Sequence, residues 1–398
     1  MGPGSNNPFG FDLSELIRML QSPGPVNMEI ARRTAHESAT HDPETGQDKP
    51  EQTVSPAAIA AFDVVVRAAQ LSVAEATGIP AALTVPARAV DRKAWADATL
   101  HGLEPVLASL ASALGRGQQQ AGPEGTDPAS VSPEAFLGML MQQLVPLLLG
   151  AWSGSMIGAL SHHALGQYDL PLPLTGEPAM LFVLHNVEAF GREWSLPNDE
   201  LRYALALREV VHGAQRAIPW VRERLVRLAS SYVNAYEVRT DALEEHFSQI
   251  DFTDPTSMTG LEKLSDPEVL LGAMQSERQK PVLEEMQRFA SVLEGYTDVV
   301  VEILGQRMVA SHVRIDEALR RHRLERGNAA TFVDRLLGLE LDRDHYDAGL
   351  EFCRGVVERG DGALEQLNRL WTREEMVPTG SEFTAPGLWL ARIDLPES

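Results

Sequence analysis

One stretch, Pro197 to Leu225 (PNDELRYALALREVVHGAQRAIPWVRERL), sets an arginine on a helix face that otherwise reads as core. Pro197 and Asn198 mark a helix start, Asp199 and Glu200 put negative charge on its first turn, and Pro219 ends the periodic pattern. Leu201, Leu205, Arg208 and His212 fall on one side at spacings of three or four, and the first half of that side is apolar. Arg208 therefore points inward. A guanidinium keeps its proton, and a buried charge is tolerated only when paired, so the fold must bring a carboxylate opposite Arg208.

The same positions carry a second pattern. In an H-E-x-x-H helix, two histidines at i and i+4 bind a metal from one face while the glutamate polarises the metal's water. Residues 208–212 read R-E-V-V-H. Glu209 and His212 keep the glutamate and the second histidine, but Arg208 offers no lone pair to a cation. Further on, Gln279 to Arg307 is predicted as a long helix whose apolar face is built from Met286, Phe289, Leu293, Tyr296, Val300 and Ile303. Glu294 and Asp298 lie four apart on another face, where like charges repel unless something positive lies between them.

The rest of the chain also reads as helix. Phe11 to Leu20 is a short amphipathic helix and Val26 to Ala39 a second; His41 to Gln52 is a polar linker. Ser55-Pro56 opens a helical stretch that runs with interruptions to Leu114, and Gly115 to Pro133 is a Gly-, Gln- and Pro-rich linker. Ala135 to Ser161 carries no Asp, Glu, Lys or Arg, yet Gln142-Gln143, Pro146 and residues 152–155 make it too polar for a membrane span. Gly150, Gly154 and Gly158 recur every four residues there, a smooth face against which another backbone can lie. His162-His163 reads as a polar helix end rather than a ligand pair, Leu181 to Leu184 as the best strand candidate, and His185 as structural. Helix resumes from Val221 to Glu245, a Pro-, Asp- and Ser-containing connection reaches Asp266, and mixed-charge helix follows from Ser311 to an irregular tail, Trp371 to Leu395. The predicted class is mainly α with at most a small β element. Its divisions are N-terminal helices and linker to residue 54, a helical lobe over 55–114, a linker over 115–133, and a helical core over 134–398 that carries both motif helices.

A net charge of -22 without a long basic run argues against nucleic acid and anionic membranes as general partners; an unidentified protein or peptide partner is expected. The single cysteine, Cys353, excludes an internal disulfide and a cysteine zinc cluster, and reads as a core residue. The opening MGPGSNNPFGF lacks the basic start and apolar core of a signal peptide, so a cytoplasmic protein is expected. No Gly-rich phosphate loop and no Gly-x-Ser-x-Gly elbow is present.

With REVVHGAQRAIPWVRERL, GQYDLPLP upstream (Gly166 to Pro173) and LEGYTDVV downstream, the chain resembles the actinobacterial zincin-like hydrolases, a zinc-dependent metalloprotease family, from about Ser55 to Ala391. The resemblance implies a multi-helix zincin-like architecture. It sets Arg208 where the first zinc histidine is expected, Glu209 at the general base and His212 at the second ligand. Glu294 then resembles the third ligand and Asp298 its supporting carboxylate. Two readings stand beside each other. In one, Arg208 takes the place of the metal's charge, ties the carboxylates together, and leaves a non-peptidase scaffold or binding protein without a cofactor. In the other, zinc on His212 and Glu294 and a water activated by Glu209 make a metallohydrolase.

Overall fold

Asn27, Ser55 and Asp342 each open a helix by accepting the backbone N–H three residues on, from Ile30 (3.0 Å), Ala58 (3.2 Å) and His345 (3.0 Å). The computed structural model describes residues 24–42, 46–48, 54–119, 133–237, 276–325, 327–360 and 364–395. In chain order its longer helices are α1 (Met28–Thr40), α2 (Pro56–Thr77), α3 (Arg92–Gln119), α4 (Pro133–Leu160), α5 (Leu184–Glu193), α6 (Asn198–Arg216), α7 (Pro219–Asn234), α8 (Gln279–Met308), α9 (His312–Leu324), α10 (Asn328–Leu337) and α11 (Arg343–Arg359). Short helical turns and one helix, Pro386–Ile393, make up the tail. The mainly helical expectation holds. The Phe11 to Leu20 helix and the connection through Asp266 lie outside the described residues.

Strand is scarce. Strands β1 (His41–Asp42) and β2 (Gln47–Asp48) form a small antiparallel ribbon, so part of the polar linker pairs with itself. Strand β3 (Ala87–Val90) runs parallel to β4 (Met180–Val183), with Ala87 opposite Met180 and Val90 opposite Val183. The strand read at Leu181 to Leu184 thus starts one residue earlier, and Leu184 already belongs to α5. The segment Ala87–Val90 falls within a stretch whose sequence predicts helix; its pairing with the buried β4 makes it strand, which tertiary context decides.

The glycine repeat of α4 meets α1. A Cβ at Gly150, Gly154 or Gly158 would stand 2.4, 2.1 or 2.5 Å from the carbonyl oxygen of Asn27, Ala31 or Ala35, so the two backbones touch as the spacing requires. Among the described residues α2 is the helix long and apolar enough to cross a membrane. Its Phe62, Val66, Ala69 and Val73 are buried in the core, where Phe62 meets Phe182 edge-on at 4.6 Å, and the helix packs on α6. Cys353 is free and buried.

Helix α8 organises the interior. It packs against α6, α7 and α2 on some sides and α11 on another. Residues 289–301 are all buried, and so are residues 204–216 of α6. Neither helix therefore has a polar face in its middle, and each polar side chain there must find a partner inside the protein.

Candidate functional site

The buried middles of α6 and α8 face each other, and their polar residues meet. From α6, Arg208 Nη1 donates to Asp298 Oδ1 at 2.7 Å and Nη2 to Glu294 Oε2. From α9, Arg323 Nη1 donates to the same Glu294 oxygen at 3.1 Å and Nη2 to Asp298 Oδ2 at 3.2 Å. Two guanidinium forks thus grip two carboxylates, all four side chains no more than 7% exposed. Burial pulls the Arg208 guanidinium towards neutrality, but Glu294 and Asp298 outweigh it and hold its pKa above the ordinary value. Burial likewise pushes the Asp298 carboxyl up, and Arg323 and Arg208 together bring it below the usual range. Arg208 and Asp298 therefore face each other as an ion pair.

His212 lies one turn along α6. Its Nδ1 has the Gln215 Oε1 and Arg216 Nη1 atoms each at 3.2 Å, and Thr297 Oγ1 at 3.4 Å. Its Nε2 faces Glu294 Oε1 at 3.5 Å, and among the described residues neither atom has a hydrogen-bond partner. Burial, then Arg208, Arg216 and Arg323, pushes the His212 pKa well down, so the ring is neutral. Arg216 is buried as well, with its guanidinium 4.6 Å from the centre of the Tyr168 ring.

Glu209 turns to a different partner. Its carboxylate accepts the backbone N–H of Gln167 at 3.0 Å and that of Tyr168 at 3.0 and 3.2 Å. Burial and Asp169 push its pKa well above the ordinary range despite those two donors. The Gly-Gln-Tyr-Asp loop that supplies them is itself pinned. Asp169 Oδ2 accepts the N–H groups of Leu165 and Gly166, the Trp95 indole donates to the Gly166 carbonyl at 3.0 Å, and Gly166 bridges to Phe182 of β4. A Cβ on Gly166 would stand 2.3 Å from Glu209 Oε1, so this position is glycine because the carboxylate fills its side-chain space. Gly166→Ala should therefore push Glu209 off its two donors and cost about 1–3 kcal/mol. Denaturant unfolding checks this, and an unchanged midpoint would show that the loop yields without loss.

Each residue of Glu294-Gly-Tyr-Thr-Asp298 has a task at this crossing. Glu294 and Asp298 take the guanidiniums, and Thr297 Oγ1 donates to the Leu293 carbonyl at 2.9 Å beside His212. Tyr296 donates to Asn368 at 2.7 Å, and Gly295 lets α11 approach so closely that a Cβ there would be 2.2 Å from the Gly349 backbone. The structure brings Arg208, His212, Glu294 and Asp298 together and hands Glu209 to the loop. Sequence reasoning missed Arg323 and Arg216. Arg216 continues the Arg208, His212 face by another four residues, a readable signal; Arg323 sits in the basic last turn of α9, where Arg321 looks the same in sequence.

Zinc is the ion that an E-x-x-H helix facing a second glutamate calls to mind. A catalytic zinc takes three protein ligands. Among the described residues no group of three or more His, Cys, Asp and Glu side chains is arranged to hold a metal. His212 and Glu294 supply two donors, while the arginine forks occupy the other Glu294 oxygen and both oxygens of Asp298. The side chains as arranged do not fit the ion.

Residues 26–390 match the model of the zincin-like metallopeptidase family. A crystal structure from Chloroflexus aurantiacus, described as a putative hydrolase with a novel fold, superposes with a TM-score of 0.58 at 21% identity, covering 94% of this chain and 100% of that one. At that identity the likeness speaks for the fold. No curated protein matches the chain in sequence.

Proposed function

We propose that this chain, which belongs to the zincin-like metallopeptidase family, keeps the family's helical frame with a salt-bridge cluster in the place of a metal, and acts as a cytoplasmic scaffold or binding protein for a protein or peptide. The observation that carries this reading is the Arg208 fork on Glu294 and Asp298. A guanidinium supplies fixed positive charge and planar hydrogen bonds, but no Lewis acid to activate water. With Glu209 engaged by two backbone donors, a general base is also withdrawn from the cluster.

A second reading has one observation in its favour. The unbonded His212 Nε2 and Glu294 Oε1 atoms are 3.5 Å apart, close to the roughly 3.3 Å between two ligands of a tetrahedral zinc ion. This is the spacing that a metallohydrolase with His212 and Glu294 as ligands and Glu209 as base would need. Arg208→His separates the two readings, because it restores H-E-x-x-H without touching His212 or Glu294. The scaffold reading expects the variant to gain about one zinc per chain over the parent, read by metal analysis after dialysis. Equal zinc in parent and variant would remove Arg208 as the determinant.

A further inference from the structure

Beyond the ion cluster, α9 and the start of α11 border a partly open cavity of about 130 Å³ whose lining includes Arg320, Arg321, Arg323, Arg343 and Tyr346. Among the described residues that line it, four are arginines and three, Asp298, Glu317 and Asp347, are acidic, in a chain whose net charge is -22. Of the three acidic residues, two are already matched: Asp298 by Arg208 and Arg323, and Glu317 by Arg321 at 2.7 Å. Arg320 holds Asp316 on its own helix at 3.0 Å. Arg343 is different. It has no ion pair among the described residues, and it stands in the first turn of α11, where the helix dipole opposes a cation. Arg323 is 7% exposed, with its guanidinium 5.0 Å from the centre of the Tyr346 ring.

We propose that this cavity is an anion site for a phosphate group, lined by the exposed Arg343, the half-buried Arg320 and the buried Arg323. Planar guanidinium donors recognise phosphate oxygens in pairs, and a phosphate's double charge draws on several arginines at once where a single carboxylate draws on one or two. Because Arg323 also holds Glu294 and Asp298, a bound anion touches the buried cluster through one shared side chain.

The test is calorimetric titration of the full chain with inorganic phosphate, phosphoserine and acetate at matched ionic strength. Saturable binding of phosphate or phosphoserine, at least tenfold weaker in Arg343→Ala and in Arg320→Ala but unchanged in Arg278→Ala, is expected. Tighter binding of phosphoserine than of free phosphate would assign the group to a larger phosphorylated ligand, and the reverse order to the free ion. No saturable binding, binding equal to that of acetate, or binding indifferent to Arg343 and Arg320 would overturn the proposal. Arg343 is exposed, so its truncation leaves the fold intact.

Discussion

Arg208→Met should lower the unfolding free energy by about 3–5 kcal/mol, the cost of leaving a buried charge with one partner removed. Methionine fills a similar volume, so the loss is electrostatic rather than a cavity. Glu294 and Asp298 are 1% and 7% exposed at the side chain, and water offers them little relief. Arg323 remains to hold both, which places the expected value near the lower end. Urea unfolding with an unchanged slope measures it. A loss below about 1 kcal/mol, the range of exposed ion pairs, would mean the cluster is solvated and the account of it wrong.

Gly295→Ala should be nearly as damaging, for a steric reason. The added methyl would stand 2.2 Å from the Gly349 carbon and oxygen, both backbone atoms that no rotamer change can move. Gly349 in turn admits no Cβ, since one there would meet the Ser291 carbonyl oxygen at 2.1 Å. Helices α8 and α11 must separate, at about 3 kcal/mol or more for overpacking against backbone. The neighbouring Glu294 would move with α8, so the substitution should also disturb the arginine forks. Wild-type stability in this variant would show that the helices slide apart freely.

Much of this interior is written in the sequence. The face of Leu201, Leu205, Arg208 and His212 required a carboxylate opposite Arg208, and the four-residue spacing of Glu294 and Asp298 required a cation between them. Those two demands satisfy each other in the structure. Periodicity also placed the glycines of α4 against a neighbouring backbone.

What the pattern left unread depends on contacts distant in sequence. An amphipathic reading gives α8 a polar side, yet its middle, residues 289–301, is enclosed all round, and α11 covers the face that carries Gly295. The motif assigned Glu209 to a water, whereas its carboxylate lies in the space left by Gly166, 43 residues earlier, a match no local rule anticipates. Arg323 stayed hidden because helix ends are often basic, so its sequence gives it a reason to face water. Strand β3 depends on its pairing with β4.

The central claim is that Arg208 stands in for a metal's charge, and zinc titration of the purified wild-type protein tests it most directly. Competition with a chromophoric chelator, followed by metal analysis, reads both affinity and stoichiometry. The account predicts sub-stoichiometric zinc that His212→Ala and Glu294→Ala leave unchanged. One tightly held zinc per chain, lost in either variant, would contradict it and make the metallohydrolase the better reading.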